Sequence, residues 1–266
     1  MGNFSPKTIS RYLIMEKLRL IARIDVKNQF AIKGIHLEGL RKIGYPNDLA
    51  LDYYNSGIDE IIFMDSVAAY YDRNSLSEII DEACNSIFVP ITVGGGIRNI
   101  QDINNALKSG ADKVSINTES LRNPNFILEA SKVFGSQCIV ASIDAKKRNE
   151  ETWEAYFDNG REPSGKDAIE WAKELQDLGA GEILITSIDK EGTKRGFDVS
   201  LVQNICSVTS IPVIACGGAG SSQDIVQIAN ETEVSAVSIS SLIHYNLDKI
   251  ENIKNSLRKN KINIRI

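Results

Sequence analysis

Short apolar runs rich in Ile and Val recur along the whole chain, and amphipathic stretches separate them. The runs are Leu18–Ile24, Glu60–Met64, Val89–Val93, Lys113–Ile116, Cys138–Ile143, Glu182–Thr186, Pro212–Ala215 and Ala236–Ile239. They show little polar alternation, as parallel strands covered on both faces should. The stretches between them predict helices over Asn47–Ser56, Ser75–Asn85, Asn99–Lys108, Asn123–Phe134, Asp167–Leu178, Val199–Val208, Ser222–Ala229 and Leu247–Lys259. Ser75 and Glu78 have capping-box spacing, and Pro124 suits a first helical turn. Strict alternation of strand and helix implies a parallel sheet. Eight such units in about 250 residues is the size of a closed (β/α)8 barrel of the TIM type. A doubly wound open sheet is the competing arrangement.

The two halves echo each other. "IDVK" at Asp25 returns as "IDAK" at Asp144, "VGGGI" at Val93 as "CGGAG" at Cys216, and "KVSINT" at Lys113 as "AVSISS" at Ala236. Each pair lies about 120 residues apart, in the same order, so a half-length unit is used twice. Two equal half-barrels close on each other and leave no edge strand, which favours the barrel. No linker separates the halves. Residues 1–17 read as an extension ahead of a single barrel domain over 18–266.

Composition narrows the class. The chain has 266 residues, 42% hydrophobic and 24% charged, ordinary for a globular protein with a sizeable core. A net charge of −5 provides no overall field for nucleic acid; Lys146, Lys147 and Arg148 read as a solvated loop. No apolar run approaches the roughly 18–20 residues of a membrane span, and the first residues lack a signal-peptide core. Cys84, Cys138, Cys206 and Cys216 are scattered without a CxxC pair, which fits a reducing cytoplasm better than a disulfide framework.

In such a barrel the C-terminal strand ends face the active site. Asp25 and Asp144 end the first and fifth strands, so they are expected on opposite sides of one mouth. Two carboxylates there can divide acid and base roles if their surroundings push their pKa values apart; bracing the loops that follow is the alternative. The glycine turns at Gly95–Gly96 and Gly217–Gly218 lead into helices, where backbone N–H groups can approach an anion. Asn117 with Thr118, and Ser240 with Ser241, add donors at the following strand ends. Each half thus offers one phosphate cradle, although such glycines also serve tight turns. Lys33 either brings a positive charge towards phosphate or stays solvated, and Thr186 belongs to a polar loop with Asp189 and Glu191. Arg19, Glu60, Lys113 and Glu182 sit at the opposite strand ends and balance in sign, either as a structural plug or as a gate across the floor. His36 and His244 are the only histidines and share no metal-ligand spacing. Neither a metal nor a cofactor is expected.

The ordered motifs "RIDVK", "GIDEIIFMD", "TVGGGI", "GADKVSINT", "FGSQCIVASIDAK", "GAGEILITSIDKEGTKRGFD" and "GGAG" resemble the cyclase subunit of imidazole glycerol phosphate synthase (the HisF type) from Leu18 to the C-terminus. The resemblance implies a (β/α)8 enzyme of histidine biosynthesis, with a glutaminase partner of the HisH type docked on the barrel floor. Ammonia would cross the barrel and meet a ribulosyl aminoimidazole carboxamide nucleotide with two phosphates, giving imidazole glycerol phosphate and the aminoimidazole carboxamide ribotide. The motifs carry the family's catalytic pair onto Asp25 and Asp144. They carry its charged gate onto Arg19, Glu60, Lys113 and Glu182, and its phosphate contacts onto Gly94–Gly96, Asn117–Thr118, Gly217–Gly218 and Ser240–Ser241. The sequence departs from the family at Ala22-Arg23, where Pro-Cys is usual, at Ser66-Val67-Ala68 after Asp65, at Glu191 in place of Asp, and at Gly44-Tyr45-Pro46. Arg23, Val67 and Glu191 keep open a paralogue that takes ammonia into another pathway, such as amidino-sugar formation for surface polysaccharide. The related ammonia-independent isomerase and a non-catalytic ammonia conduit are further alternatives.

Overall fold

The computed structural model describes residues 17–66 and 76–265. Most of the N-terminal extension, Val67, Ala68, and the expected capping residue Ser75 lie outside the described residues.

Twelve strands form one sheet. Eight are parallel and close on themselves: β1 (Arg19–Lys27), β4 (Glu60–Asp65), β5 (Ile91–Gly94), β6 (Lys113–Ile116), β7 (Ile139–Lys147), β10 (Glu182–Ser187), β11 (Val213–Cys216) and β12 (Ala236–Ile239). The ring runs β1-β4-β5-β6-β7-β10-β11-β12 and closes through β12 onto β1. The expected (β/α)8 barrel is the observed fold.

β6 and β12 have the expected bounds; the others move by one to four residues. β5 and β11 start after Pro90 and Pro212, because a proline supplies no N–H to a ladder. Both prolines still contribute carbonyls, accepting from Ile61 N at 3.0 Å and Ile183 N at 2.9 Å. Cys138 leaves its strand for a 3-10 turn over Ser136–Cys138. The helix expected over Asn123–Phe134 starts at Asn125, and a separate short helix over Thr118–Arg122 precedes it.

Four strands escaped the periodicity. β2 (Phe30–Ile35) and β3 (Glu38–Gly44) form an antiparallel extension on β1. β8 (Trp153–Phe157) and β9 (Glu162–Asp167) do the same on β7. Asp25 pairs with Ile32, and Asp144 with Tyr156. The hairpins are therefore a further part of the repeat, one on each half.

Two apolar shells hold the barrel. The larger lies between strands and helices and includes Ala22, Ile24, Ile61, Phe63, Ile139, Ile183, Ile185, Trp171 and Leu201. The smaller fills the lumen with Ile21, Ile62, Val140, Leu184, Ile214, Cys216 and Ala236. The split follows from alternation along each strand. Buried Asp59 ties the shells to the chain's end. Its Oδ2 accepts from Leu20 N and its Oδ1 from Lys254 Nζ, both at 2.7 Å. Asp59→Ala strands a partly buried ammonium and a buried backbone donor. It is expected to cost about 3–5 kcal/mol, read as a lower urea midpoint with an unchanged slope.

Candidate active site

The inward-facing positions stack in layers from floor to mouth. At the floor, Arg19 Nη1 meets Glu60 Oε1 at 2.8 Å and Arg19 Nη2 meets Glu182 Oε1 at 2.7 Å. Lys113 Nζ closes the circuit to Glu60 Oε2 at 3.3 Å and Glu182 Oε2 at 2.8 Å. The four charges form one alternating ring. The apolar lumen shell lies above it.

Above that shell the lumen turns polar. Arg23, Ser115, Ser142, Thr186 and Ser238 are all buried. Arg23 Nε donates to Asp25 Oδ1 at 2.8 Å, and its Nη1 donates to Thr186 Oγ1 at 3.1 Å. Lys33 Nζ lies 3.3 Å from Asp25 Oδ2 and forms an ion pair with Glu191. Lys33 and Thr186 are thus engaged inside the barrel, Lys33 between two carboxylates and Thr186 under a guanidinium.

Asp25 on β1 and Asp144 on β7 stand four strands apart in a ring of eight, on opposite sides of the lumen. Their surroundings differ. Burial pushes Asp25 up, but Arg23 and then Lys33 outweigh it and hold the carboxyl down to about 2. Burial pushes Asp144 up to about 6; Arg23 opposes this, while the charges of Asp25 and Glu191 add to it. Asn117 Nδ2 donates to Asp144 Oδ2 at 3.0 Å and fixes its orientation. At neutral pH Asp25 is a fixed anion, whereas Asp144 exchanges its proton close to neutrality.

A cavity opens beside each half. The first is lined by Gly95, Gly96, Arg98, Asn117, Thr118 and Asp144, with Arg23 and Arg122 among its other walls. The second is lined by Gly217, Gly218, Ser240, Ser241 and Glu191. The glycines are required by the turns. Gly95 has φ 90° and Gly218 φ 109°, and a Cβ would strike the carbonyl of Asp65 or of Gly196. Buried Ser241 Oγ and Asn117 Oδ1 have no hydrogen-bond partner. Ser240 is committed, donating to the Arg23 carbonyl at 3.0 Å. Gly95, Gly96, Asn117, Thr118 and Asp144 therefore gather around one cavity and Gly217, Gly218, Ser240 and Ser241 around the other; Asp25, Lys33 and Thr186 line neither, and the four floor charges gather beneath. Arg98 and Arg122, absent from the residues expected from sequence, give the first cavity cationic walls. Arg98 directly follows the glycine turn, so its position was a usable signal; Arg122 is brought in only by folding. No group of three or more His, Cys, Asp or Glu among the described residues could hold a metal ion.

The displaced Asp144 has a consequence for stability. A carboxyl whose folded pKa lies above its ordinary 3.8 stabilises the fold while protonated, and that contribution fades as pH rises through about 6. Asp144→Asn keeps an acceptor for Asn117 and removes the charge. It is expected to raise stability by about 2–3 kcal/mol at neutral pH, with the gain vanishing as pH falls towards 3.8. Urea unfolding of both proteins across pH measures it.

The family model described as "Histidine biosynthesis protein" matches residues 19–249. The "Imidazole glycerol phosphate synthase subunit HisF" of Legionella pneumophila is 53% identical over 206 residues, covering 77% of this chain and 97% of that protein. The HisF subunit of Lactococcus lactis subsp. cremoris is 45% identical over 249 residues, covering 93% and 96%. That of Bacillus cereus is 43% identical over 248 residues, covering 93% and 98%. By the extent of these matches, this chain belongs to the histidine biosynthesis protein family and is similar to its HisF subunits along nearly the whole barrel.

Proposed function

We propose that this chain is the cyclase subunit of imidazole glycerol phosphate synthase in histidine biosynthesis. It uses ammonia to convert the ribulosyl aminoimidazole carboxamide nucleotide into imidazole glycerol phosphate and the aminoimidazole carboxamide ribotide. One observation carries the reading: two carboxylates on opposite strands, displaced in opposite pKa directions, share the mouth with two glycine-turned cavities, the first of them walled by Asp144.

A substrate with a phosphate at each end suits two cavities related by the internal repeat. Gly95, Gly96, Asn117 and Thr118 hold one phosphate, with Arg98 and Arg122 neutralising it. Gly217, Gly218, Ser240 and Ser241 hold the other through backbone and hydroxyl donors. This anchoring stretches the reacting centre across the mouth and holds it over the two aspartates. Forming and cleaving bonds there requires protons to move on and off nitrogen and oxygen. Asp144, poised at about 6, is matched to that task near neutrality. Asp25 stays ionised and stabilises positive charge as the nitrogen adds. Lys33 holds Asp25 against Glu191, so its role is to position rather than to grip phosphate.

The relatives are named as subunits, which implies a partner chain. The reading assigns that partner as a glutaminase of the HisH type, docked on the floor. Two features support the assignment. The floor carries the charged ring of Arg19, Glu60, Lys113 and Glu182, placed to gate ammonia. Phe88 (77% exposed) and Val133 (57% exposed) lie in the segments that lead into β5 and β7 at the same end. Among the described residues no helix is long and apolar enough to cross a membrane.

The test uses the purified chain with the bisphosphate nucleotide and an ammonium salt at alkaline pH, following the loss of substrate absorbance. Turnover should require ammonium. Asp25→Asn and Asp144→Asn should each reduce it by at least about 100-fold without unfolding the barrel. A folded wild-type chain that leaves this substrate untouched would defeat the cyclase assignment in favour of another ammonia acceptor.

A further inference from the structure

The internal repeat makes Asp25 and Asp144 equivalent, yet their neighbours are not. Two residues before Asp25 stands Arg23; two residues before Asp144 stands Ser142. On the paired hairpins, Ile32 lies opposite Asp25 and Tyr156 opposite Asp144. The next residue is Lys33 in the first half and Phe157 in the second. The first half therefore carries two buried cations where the second carries a hydroxyl and an aromatic ring.

Arg23 is the less ordinary of the two. It is 2% exposed and spans the lumen. Starting from β1, it reaches Thr186 on β10 and Cys216 Sγ on β11, the latter at 3.6 Å. β10 lies three strands away along the barrel wall. Its hydrogen bonds leave from Nε and Nη1, and Arg23 also lines the first cavity together with Ser142 and Asp144. Below it lie the apolar shell and the floor ring. A guanidinium in such a place must keep its anion, because an unpaired buried charge is strongly unfavourable.

We propose that Arg23 is a positioning residue that makes the two repeat-related carboxylates unequal, clamping Asp25 across the lumen as a fixed anion while it also lines the cavity of Asp144. The role in catalysis rests on the cyclase reading; the clamp itself does not. Every charged or titratable group facing Asp25 enters the balance. These are Arg23 on β1, Lys33 on β2, Glu191 after β10, Asp144 on β7, Cys216 on β11 and His244 in the short helix Ser241–His244. His244 is held down to about 4, chiefly by burial, so it adds no charge near neutrality. Arg23 opposes protonation of both aspartates, and its removal therefore raises both.

The test compares Arg23→Gln, which keeps a hydrogen-bonding head without charge, with Arg23→Lys, which keeps the charge. Carboxyl 13C NMR of aspartate-labelled protein, with Asp25→Asn assigning the resonance, follows the titration directly. The Asp25 midpoint should rise by about 1–3 pH units in Arg23→Gln and return towards wild type in Arg23→Lys. The ionisation near pH 6 in the ammonium-driven pH–rate profile should rise by less, because Arg23 bonds Asp25 directly and acts on Asp144 only through its field. If Arg23→Gln does not fold, Arg23→Met supplies the neutral comparison. A neutral variant that folds and titrates as wild type, or that loses activity equally at every pH without rescue by Arg23→Lys, would show Arg23 to be lumen filling only. Absence of wild-type turnover would count against the cyclase reading and leave the NMR result to decide the clamp.

Discussion

A closed ring of eight parallel strands has a lumen that must be filled from inside, and every second residue of every strand points into it. This chain fills it with chemically distinct layers. A ring of four alternating charges lies at the floor, a shell of Ile, Val and Leu above it, a polar layer around Arg23 next, and the two aspartates at the mouth. Each layer limits its neighbours. The apolar shell excludes water from the Arg23 layer, so that guanidinium is tied to Asp25. Asp25, held by Arg23 and Lys33, cannot relax its charge, and its field helps to push Asp144 upwards. The unequal pair is a product of packing as much as of residue choice.

Symmetry supplies the scaffold and departures from symmetry supply the chemistry. The repeat is seen in the glycine turns, in the strand-end hydroxyls and amide, and in the two antiparallel hairpins. It sets one cavity on each half. The differences lie where charge decides: Arg23 against Ser142, Lys33 against Phe157, and the arginines of the first cavity against Glu191 in the second. Under the proposed function, the symmetric parts would hold the two phosphates of the substrate and the asymmetric ones would serve proton transfer.

Much of this was legible in the chain. Eight apolar runs alternating with amphipathic stretches specify a parallel sheet, and the bounds of β6 and β12 match because the two short runs, Lys-Val-Ser-Ile and Ala-Val-Ser-Ile, repeat each other. Asp25, Asp144 and the glycine turns were found by their recurrence. β3 and β9 escaped because their largely exposed, mixed polar residues read as loop, and β2 and β8 because their pairing follows β1 and β7 outward from the barrel. Arg23 was noticed as a departure from the family's usual residues, but its contacts with β10 and β11 were not foreseeable from spacing.

The architecture, its duplication and the residues offered at each strand end follow from order along the chain, because periodicity and recurrence are properties of that order. Which of those residues touch follows from the closed ring. Ring closure brings β1 beside β12 and within reach of β10, so that Lys33 is spent on Asp25 and Glu191, Thr186 on Arg23, and Ser240 on the β1 backbone. Contacts between positions 150 or more residues apart depend on strand stagger and side-chain reach in three dimensions, and neither is written in local pattern.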